Sequence, residues 1–377
     1  MFRFLHSSDL HLGKPFGRHD EDVRGRLRQA RHGAIARLAQ AARASGADLV
    51  LLAGDTFDQE TPAPSITRQA LNAMGQEADI RWVLMPGNHD SIAASELWQT
   101  ITRDKPPNVI LALTPEPIDL NGAHLLPAPC TTRNPGRDLT IDMAQATPEG
   151  AIRLGLGHGG IHDFASLGSV AAEGPSGTIT PDRAKLAGLD YLGLGDWHGQ
   201  IKVTENTWYS GTPEADSFKH VSNGTALAVA LAGAGQPPEV TPVKTGEILW
   251  QRNRVELTPQ EDAAALIQSV LPALAERRDT LLNVIVGGRA GVQQMQQLQR
   301  VIAAVTPDFL NLTSDLDEVK LAHEAADLDA IDPSGGALRQ AAEALSTQAQ
   351  DGDLSAADRR IAATALSQLF SFVAEQP

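Results

Sequence analysis

Short apolar runs that stop at polar turns recur through the first part of the chain. Runs of this kind are typical of strands buried on both faces of a sheet. Five of them precede carboxylate, imidazole or amide side chains, and they lie at Phe2–Ser7, Asp48–Ala53, Ile80–Met85, Ile152–Leu156 and Asp190–Leu194. Because strand-end loops carry the ligands and catalytic groups of layered α/β proteins, we expect these polar blocks to meet at one site.

Helical periodicity alternates with the strand pattern. Residues 23–45 place apolar side chains on one face, and Gly46 fits the end of that helix. A second helix is predicted at about residues 65–77, before the strand at Ile80. This alternation predicts a layered α/β domain. Residues 99–150, which are rich in Pro and Thr, are predicted to be mostly irregular.

The Ala-, Gly- and Pro-rich run at 232–238 has the composition of a turn or linker. The pattern after it predicts a small α+β domain, with strands at 248–257, 280–286 and 309–312 and helices at 259–277 and 291–305. An acidic stretch at 315–332 precedes two short amphipathic helices. We therefore predict three parts, namely a catalytic domain at 1–240, an α+β domain at 241–325, and an acidic linker with a helix pair at 326–377.

Composition is that of a globular protein, with 42% hydrophobic residues. We find no apolar stretch near the roughly 20 residues of a membrane span, so no membrane association is expected. The single Cys130 excludes an intramolecular disulfide and a cysteine metal cluster. The N-terminal residues enter the first strand without a signal-peptide layout. A cytoplasmic location is the resulting expectation.

The formal net charge of −15 is an objection to a nucleic-acid enzyme, because phosphate binding usually needs Lys and Arg, but the charge is uneven. Eight basic and three acidic residues lie between Lys14 and Arg43. Within that run Arg24, Arg28 and Arg31 recur at spacings that put them along one side of the predicted helix. The run is either a solvated helix face or a surface that binds a nucleic-acid backbone.

Five polar blocks follow the strands, and together they offer oxygen and nitrogen ligands suited to two divalent metals. The blocks are Asp9-Leu10-His11, Gly54-Asp55-Thr56-Phe57-Asp58, Gly87-Asn88-His89-Asp90, Gly157-His158-Gly159 and Gly195-Asp196-Trp197-His198-Gly199. His162 and His124 compete with His158 as a ligand, and we prefer His158 because it lies directly at a strand end. Asp58 is interpreted as a group that supports the loop or a ligand, rather than as a ligand itself.

In this order the blocks resemble those of the calcineurin-like metallophosphoesterases. The opening His6-Ser7-Ser8-Asp9-Leu10-His11-Leu12-Gly13 and the segment Tyr209-Ser210-Gly211-Thr212-Pro213-Glu214 resemble the SbcD-type nucleases of DNA double-strand-break repair. The resemblance implies a layered β-sandwich flanked by helices, followed by a small α+β capping domain and a C-terminal helix pair.

The resemblance also implies site roles. Asp9, His11, Asp55 and His198 would hold the first metal, with Asp55 bridging to a second metal completed by Asn88, His158 and Asp196. His89 would face the scissile phosphate, and Asp90 would orient it. The nuclease branch usually has His where this chain has Asp196, which puts the metal preference and the substrate in question. Mn is the first expectation for the two divalent ions, with Fe or Zn as alternatives.

The expected function is metal-dependent phosphodiester hydrolysis, as a DNA exo- or endonuclease of DNA repair acting with an SbcC-like ATPase. Arg24, Arg28 and Arg31 are the candidate DNA contacts. Two alternatives stay open, a phosphoesterase for a nucleotide or other small phosphodiester, and a catalytically weak regulatory partner of an ATPase. The C-terminal helices either pack on their own domain or dock on the ATPase or a second copy of the chain.

Overall fold

The computed structural model describes residues 1–162, 178–219, 223–258, 261–321 and 336–374. The chain divides into two compact units, Met1–Trp250 and Gln251–Pro377. Residues 326–335 of the predicted acidic linker lie outside the described residues.

The first unit is built on two six-stranded sheets. Its strands, in chain order, are β1 (Phe2–Ser7), β2 (Leu49–Ala53), β3 (Arg81–Met85), β4 (Val109–Leu111), β5 (Ile118–Asp119), β6 (Ala123–Ala128), β7 (Ile152–His158), β8 (Tyr191–Gly195), β9 (Ile201–Lys202), β10 (Thr207–Tyr209), β11 (Thr225–Leu231) and β12 (Glu239–Lys244). The first sheet has the order β12-β11-β1-β2-β3-β4, and the second has the order β5-β6-β7-β8-β10-β9.

The strands that precede the five polar blocks run parallel within their sheets. In the first sheet β1, β2 and β3 are parallel neighbours. In the second sheet β7 and β8 are parallel neighbours. Parallel neighbours end at the same edge of a sheet, so the polar loops of each sheet leave it at a common edge.

The two sheets pack face to face around an apolar core. One face of β1 to β3 contributes Phe4, Leu51 and Val83, which pack with Leu154 and Tyr191 of the second sheet. The phenol of Tyr191 also lies 2.9 Å from Nδ1 of His6, which is a polar contact inside the sandwich. The apolar runs of the sequence therefore form strands buried on both faces, because helices cover the outer faces.

Helices α1 (Glu21–Ala44), α2 (Pro64–Gln76) and α3 (Ser95–Asp104) contribute with the first sheet to one apolar cluster. A 3-10 helix at Leu139–Ala144 and the short α4 (Arg183–Leu186) contribute to another with the second sheet. Helix α3 extends into the stretch at 99–150 that we predict to be mostly irregular. It forms because Leu97, Trp98 and Ile101 follow helical spacing and are buried.

Strand β12 extends the first unit beyond the predicted boundary at residue 240. It pairs antiparallel with β11, from Ala230↔Glu239 to Thr225↔Lys244. The Gly- and Pro-rich run at 232–238 is thus the turn of a hairpin, and the first unit continues to Trp250.

The second unit has a three-stranded sheet, with β13 (Leu249–Leu257), β14 (Thr280–Ala290) and β15 (Asn311–Leu321) in that order, and β13 begins two residues before the unit does. Its helices are α5 (Ala263–Val270), α6 (Leu274–Arg277), α7 (Val292–Val305), α8 (Ala337–Gln350) and α9 (Ala356–Ala374). The predicted helix at 259–277 is two short helices, with Pro272 between them. The apolar core of this unit includes Ile267, Val284 and Leu298.

The predicted fold class is confirmed, since the chain is a mixed α/β protein with several sheets flanked by helices. Among the described residues, we find no helix that is both long and apolar enough to span a membrane.

Candidate active site

The five polar blocks meet at the edges of the two sheets, where the strands end and the loops begin. Asp9 and His11 follow β1, Asp55 follows β2, and Asn88 follows β3. In the second sheet His158 is the last residue of β7, and Asp196 and His198 follow β8. The structure therefore brings together all seven residues that we predict to bind metal, although they come from five separate parts of the chain.

Several of these residues have a backbone conformation that side chains other than glycine rarely adopt. The φ angles are 56° for Asp9, 43° for His11, 54° for Asp55 and 98° for Asp196. Non-glycine residues at positive φ cost free energy, and they concentrate at functional sites. Asp9 and His11 converge because of this turn. Both residues lie beyond the strand, since β1 ends at Ser7.

A first cluster consists of Asp9, His11 and His198, and each residue contributes one potential metal ligand atom. The two imidazole Nε2 atoms lie 3.1 Å apart. Each of these atoms lies 3.9 Å from Oδ1 of Asp9. Two hydrogen bonds fix the Asp9 carboxylate. Ser8 Oγ donates to its Oδ2 at 2.5 Å, and the Asp196 backbone amide donates to the same oxygen at 3.2 Å.

A second cluster is centred on His158, with Asn88 and Asp196 beside it. Nε2 of His158 lies 3.9 Å from Oδ1 of Asp196. Asn88 Nδ2 donates to that oxygen at 3.3 Å. The other His158 nitrogen, Nδ1, lies 2.8 Å from the carbonyl of Ala53. Donation of the Nδ1 proton to this carbonyl leaves the Nε2 lone pair facing the carboxylates.

Asp55 lies between the two clusters. Its Oδ2 is 3.6 Å from Nε2 of His11, and its Oδ1 is 3.6 Å from Nε2 of His158. Room for this arrangement depends on Gly87, because a Cβ at that position would overlap the Asp55 carboxylate. A Cβ on Gly54 would likewise overlap the His158 ring, and Gly54 has a φ of 89°. Both glycines allow close approach of the backbone to a bulky ligand.

The electrostatics of the site indicate an excess of buried negative charge. Burial raises the pKa of Asp55 to about 8, and the charges of Asp90 and Asp9 add to the shift against the effect of His158. Burial opposes protonation of His158, but the surrounding carboxylates outweigh it and raise its pKa to about 9. A buried cluster of carboxylates of this kind is stabilised by a cation.

The side chains fit divalent cations in a second respect. His158 Nε2 and Asn88 Oδ1 are buried polar atoms without a hydrogen-bond partner among the described residues. Buried polar atoms of native proteins are nearly always paired, and His158 Nε2 faces the carboxylates of Asp55 and Asp196. Nitrogen and oxygen donors in this mixture suit Mn, Fe or Zn. The site residues can therefore hold metal ions at two adjoining positions.

His89 lies beside the first cluster, and its orienting group is not the predicted one. Its Nδ1 is 2.7 Å from the carbonyl of Asp58, and its ring packs edge-on against His11 with centroids 4.8 Å apart. The buried Asp90 carboxylate instead accepts from the amides of Phe57 and Gly87 at 3.0 and 2.7 Å. Asp90 thus stabilises the loops that carry Asp55 and Asn88, and the expectation that it orients His89 is corrected.

The Asp58 carboxylate lies behind His11, with Oδ1 3.3 Å from Nδ1 of the ring. This contact agrees with a supporting role. Of the competing histidines, His162 donates its backbone amide to Ile179, and His124 lies on β6.

The three arginines of α1 have different environments, which corrects one predicted DNA contact. Arg31 is buried, with 2% of its surface exposed, and it donates to the carbonyls of Leu10 and Glu214 at 2.6 and 3.1 Å. It is therefore not available to a DNA backbone. Arg24 and Arg28 are partly exposed, and Arg24 forms an ion pair with Glu21.

Asp216 is a site residue that the sequence interpretation missed. Its Oδ2 lies 3.1 Å from Nδ1 of His198, and it forms an ion pair with Lys14. The adjoining Thr212 donates to the carbonyl of Asp9 at 2.9 Å. The resemblance of residues 209–214 to a nuclease segment was the available signal, but it ended two residues too early.

Comparison with known proteins agrees with this geometry. The family model for calcineurin-like phosphoesterases matches residues 2–173, which include β1, β2, β3, β7 and the loops that follow them. The chain is also similar to the uncharacterized metallophosphoesterase YhaO of Bacillus subtilis (strain 168), at 22% identity over 288 residues. That alignment covers 73% of this chain and 68% of the relative. Both matches support the calcineurin-like metallophosphoesterase family. They support a hydrolase that acts on phosphoester bonds.

One solved crystal structure aligns with 64% of this chain and 98% of its own, at 11% identity and a TM-score of 0.40. A likeness at this level does not bear on function.

Proposed function

We propose that this protein hydrolyses phosphodiester bonds with two divalent cations and that its substrate is DNA. The observation that carries the proposal is the position of Asp55, whose two carboxylate oxygens face His11 and His158 at 3.6 Å each. A carboxylate that is shared in this way sets the distance between two metal ions. Paired ions neutralise the phosphoryl oxygens and activate a water nucleophile.

The chain's own residues have distinct roles in this proposal. Asp9, His11, Asp55 and His198 hold the first ion, and Asp55, Asn88, His158 and Asp196 hold the second. His89 contacts the phosphate and either protonates the leaving oxygen or stabilises charge on an equatorial oxygen. Its Nδ1 contact with the Asp58 carbonyl fixes the proton on Nδ1 and points Nε2 away from that carbonyl.

Manganese is the proposed metal. The residues that would hold the second ion offer three oxygen donors and one nitrogen donor, because Asp196 stands where an imidazole would supply another nitrogen. Carboxylate and amide oxygens are hard ligands that suit Mn²⁺, whereas imidazole also suits Zn²⁺ and Fe²⁺.

DNA is proposed as the substrate because of the nuclease-like opening motif and the partly exposed Arg24 and Arg28 of α1. Their contacts would be to backbone phosphates, so cleavage should be largely independent of sequence. Burial of Arg31 reduces this arginine surface. That observation favours a second candidate function, hydrolysis of a nucleotide or other small phosphodiester.

An SbcC-like ATPase is the proposed partner, and a second copy of the chain is the alternative. Helices α8 and α9 pack on each other, yet Leu338 and Ile361 remain 48% and 67% exposed within the second unit. Replacing both with Asp should abolish association and leave hydrolysis of a small diester unchanged. Retained association with such an ATPase would contradict the use of this surface.

The deciding experiment compares hydrolysis of single-stranded DNA, duplex DNA and bis-p-nitrophenyl phosphate in the presence of Mn²⁺. Asp55→Asn serves as the inactive control, so that a contaminating nuclease is recognised. Cleavage of DNA by the wild type alone is the expected result. Cleavage of only the small diester would favour the second candidate, and no cleavage of any substrate would contradict phosphodiester hydrolysis.

A further inference from the structure

The imidazole of His198 is contacted on both of its nitrogen atoms. Nε2 faces the first cluster, 3.1 Å from His11 Nε2. Nδ1 lies 3.1 Å from Oδ2 of Asp216, on the opposite side of the ring. An imidazole that binds a metal through one nitrogen carries its proton on the other. In that state His198 donates the Nδ1 proton to Asp216.

Asp216 is held more firmly than a carboxylate on a surface loop. Its side chain is 3% exposed, and the same Oδ2 atom contacts Lys14 and lies 3.7 Å from Nη2 of Arg31. Two cations and one imidazole therefore converge on a single buried oxygen. This arrangement leaves the carboxylate little freedom to leave the His198 ring.

Arg31 connects Asp216 to the ligand loop after β1. It donates to the carbonyl of Leu10, which lies between Asp9 and His11, and to the carbonyl of Glu214. Thr212 makes a parallel connection, because its hydroxyl lies 2.9 Å from the carbonyls of both Asp9 and Glu214. The loop that carries Asp216 is thus fixed against the loop that carries two proposed ligands.

We propose that Asp216 is a positioning residue, which holds the His198 ring with Nε2 toward the first metal ion. The inference rests on the proposed two-metal function. Carboxylates that accept the second N–H of a ligating histidine fix the ring and increase its basicity, and their loss typically weakens metal binding by about 10–100-fold. A competing explanation is that Asp216 only neutralises Lys14 and Arg31.

The variant that separates these explanations is Asp216→Glu. It keeps the negative charge for the two cations but displaces the oxygen by one methylene from His198 Nδ1. Asp216→Asn removes the charge and keeps the size of the side chain. Asp138→Asn is the matched control, because Asp138 is also buried, pairs with Arg183 at 2.7 Å, and caps a 3-10 helix by accepting from Thr140.

The measurement is titration of each metal-free protein with Mn²⁺, by calorimetry and by electron paramagnetic resonance, which distinguishes a coupled pair of ions from a single ion. Melting in EDTA reports folding without metal. We expect both Asp216 variants to lose about 10–100-fold in affinity for one of two ions, whereas Asp138→Asn binds both as the wild type does. Excess Mn²⁺ should restore the diesterase rate of Asp216→Glu.

Wild-type affinity for both ions in Asp216→Glu would overturn the positioning role and leave the proposed function intact. A wild type that binds no Mn²⁺ pair would overturn both. If Asp216→Asn does not fold, Asp216→Glu alone decides the question, since it preserves the ion pairs that a purely structural role requires.

Discussion

The two halves of the proposed metal site are supported differently. In the first half, carboxylates lie behind both imidazoles, with Asp58 3.3 Å from His11 Nδ1 and Asp216 3.1 Å from His198 Nδ1. In the second half, the single imidazole of His158 has the backbone carbonyl of Ala53 behind it, at 2.8 Å. The remaining second-half donors are the oxygens of Asn88 and Asp196.

This difference indicates how the two proposed ions should differ. A carboxylate increases the basicity of the imidazole more than a neutral carbonyl does, so the first half favours metals that bind nitrogen well. The second half is rich in oxygen and favours harder ions. Asp55 belongs to both halves, and its replacement should therefore erase the difference between them.

Asp55→Asn is expected to have the largest effect. Bound metal ions contribute several kcal/mol to transition-state stabilisation. Each ~1.4 kcal/mol is a factor of ten in rate. We expect kcat/KM on a small diester to fall by at least about 10³-fold, with loss of both ions in metal analysis. Retention of one tightly bound ion would show that Asp55 serves only one half of the site.

His89→Ala should lower kcat by about 10²–10⁴-fold, as expected for loss of a group that acts on the transition state. Both ions should remain bound, because His89 is assigned to the phosphate and not to either half. His162→Ala is the control, and it should leave the rate unchanged. Loss of an ion from His89→Ala, seen by calorimetry, would move His89 into the metal site.

Asp196→His should reduce the difference between the halves, since it replaces an oxygen donor of the second half with nitrogen. The second ion should then favour Zn²⁺ over Mn²⁺ more than it does in the wild type. Competitive titration of the two metals measures the shift. An unchanged preference would mean that Asp196 does not bind the ion.

Arg31→Met tests the support of the first half alone. Breaking a buried ion pair costs about 3–5 kcal/mol, so the melting temperature should fall and the first ion should bind more weakly. The second ion should be less affected, because Arg31 contacts the loops of Leu10 and Glu214. Equal weakening of both ions would show that the loss is general destabilisation.

Replacement of Arg24 and Arg28 is expected to have the smallest effect and to leave both halves of the proposed metal site unchanged. Replacing both with Ala should reduce the salt dependence of DNA binding, with a slope smaller by about one for each lost phosphate contact. Hydrolysis of the small diester should not change. A wild-type salt slope in the double variant would remove this helix from DNA binding.

The sequence predicted the strands and their polar ends well, because a doubly buried strand next to a glycine-bearing turn is a local pattern. Helix α3 was missed because its short apolar face runs into a Pro- and Thr-rich stretch. The run at 232–238 was left open as a turn or a linker, because Gly and Pro mark both kinds of connection, and it is the turn of the hairpin between β11 and β12. In both places local composition does not report how the segment packs or pairs.

The arginines of α1 show a different limit of prediction from the sequence. Arg31 lies four residues after Leu27 and three before Ala34, and both of these are buried. Helical spacing thus placed Arg31 beside the apolar face as clearly as beside Arg24 and Arg28, and its charge was given too much weight. Asp216 could not be inferred from spacing, because its contact with His198 depends on how separate loops are folded together.

The most direct test of the central claim is a crystal structure of the protein soaked in Mn²⁺, with anomalous scattering to locate the ions. We expect two peaks roughly 3.5–4 Å apart, with Asp55 between them, His11 and His198 at one, and His158 and Asp196 at the other. A single peak, or two peaks away from Asp55, would contradict the claim.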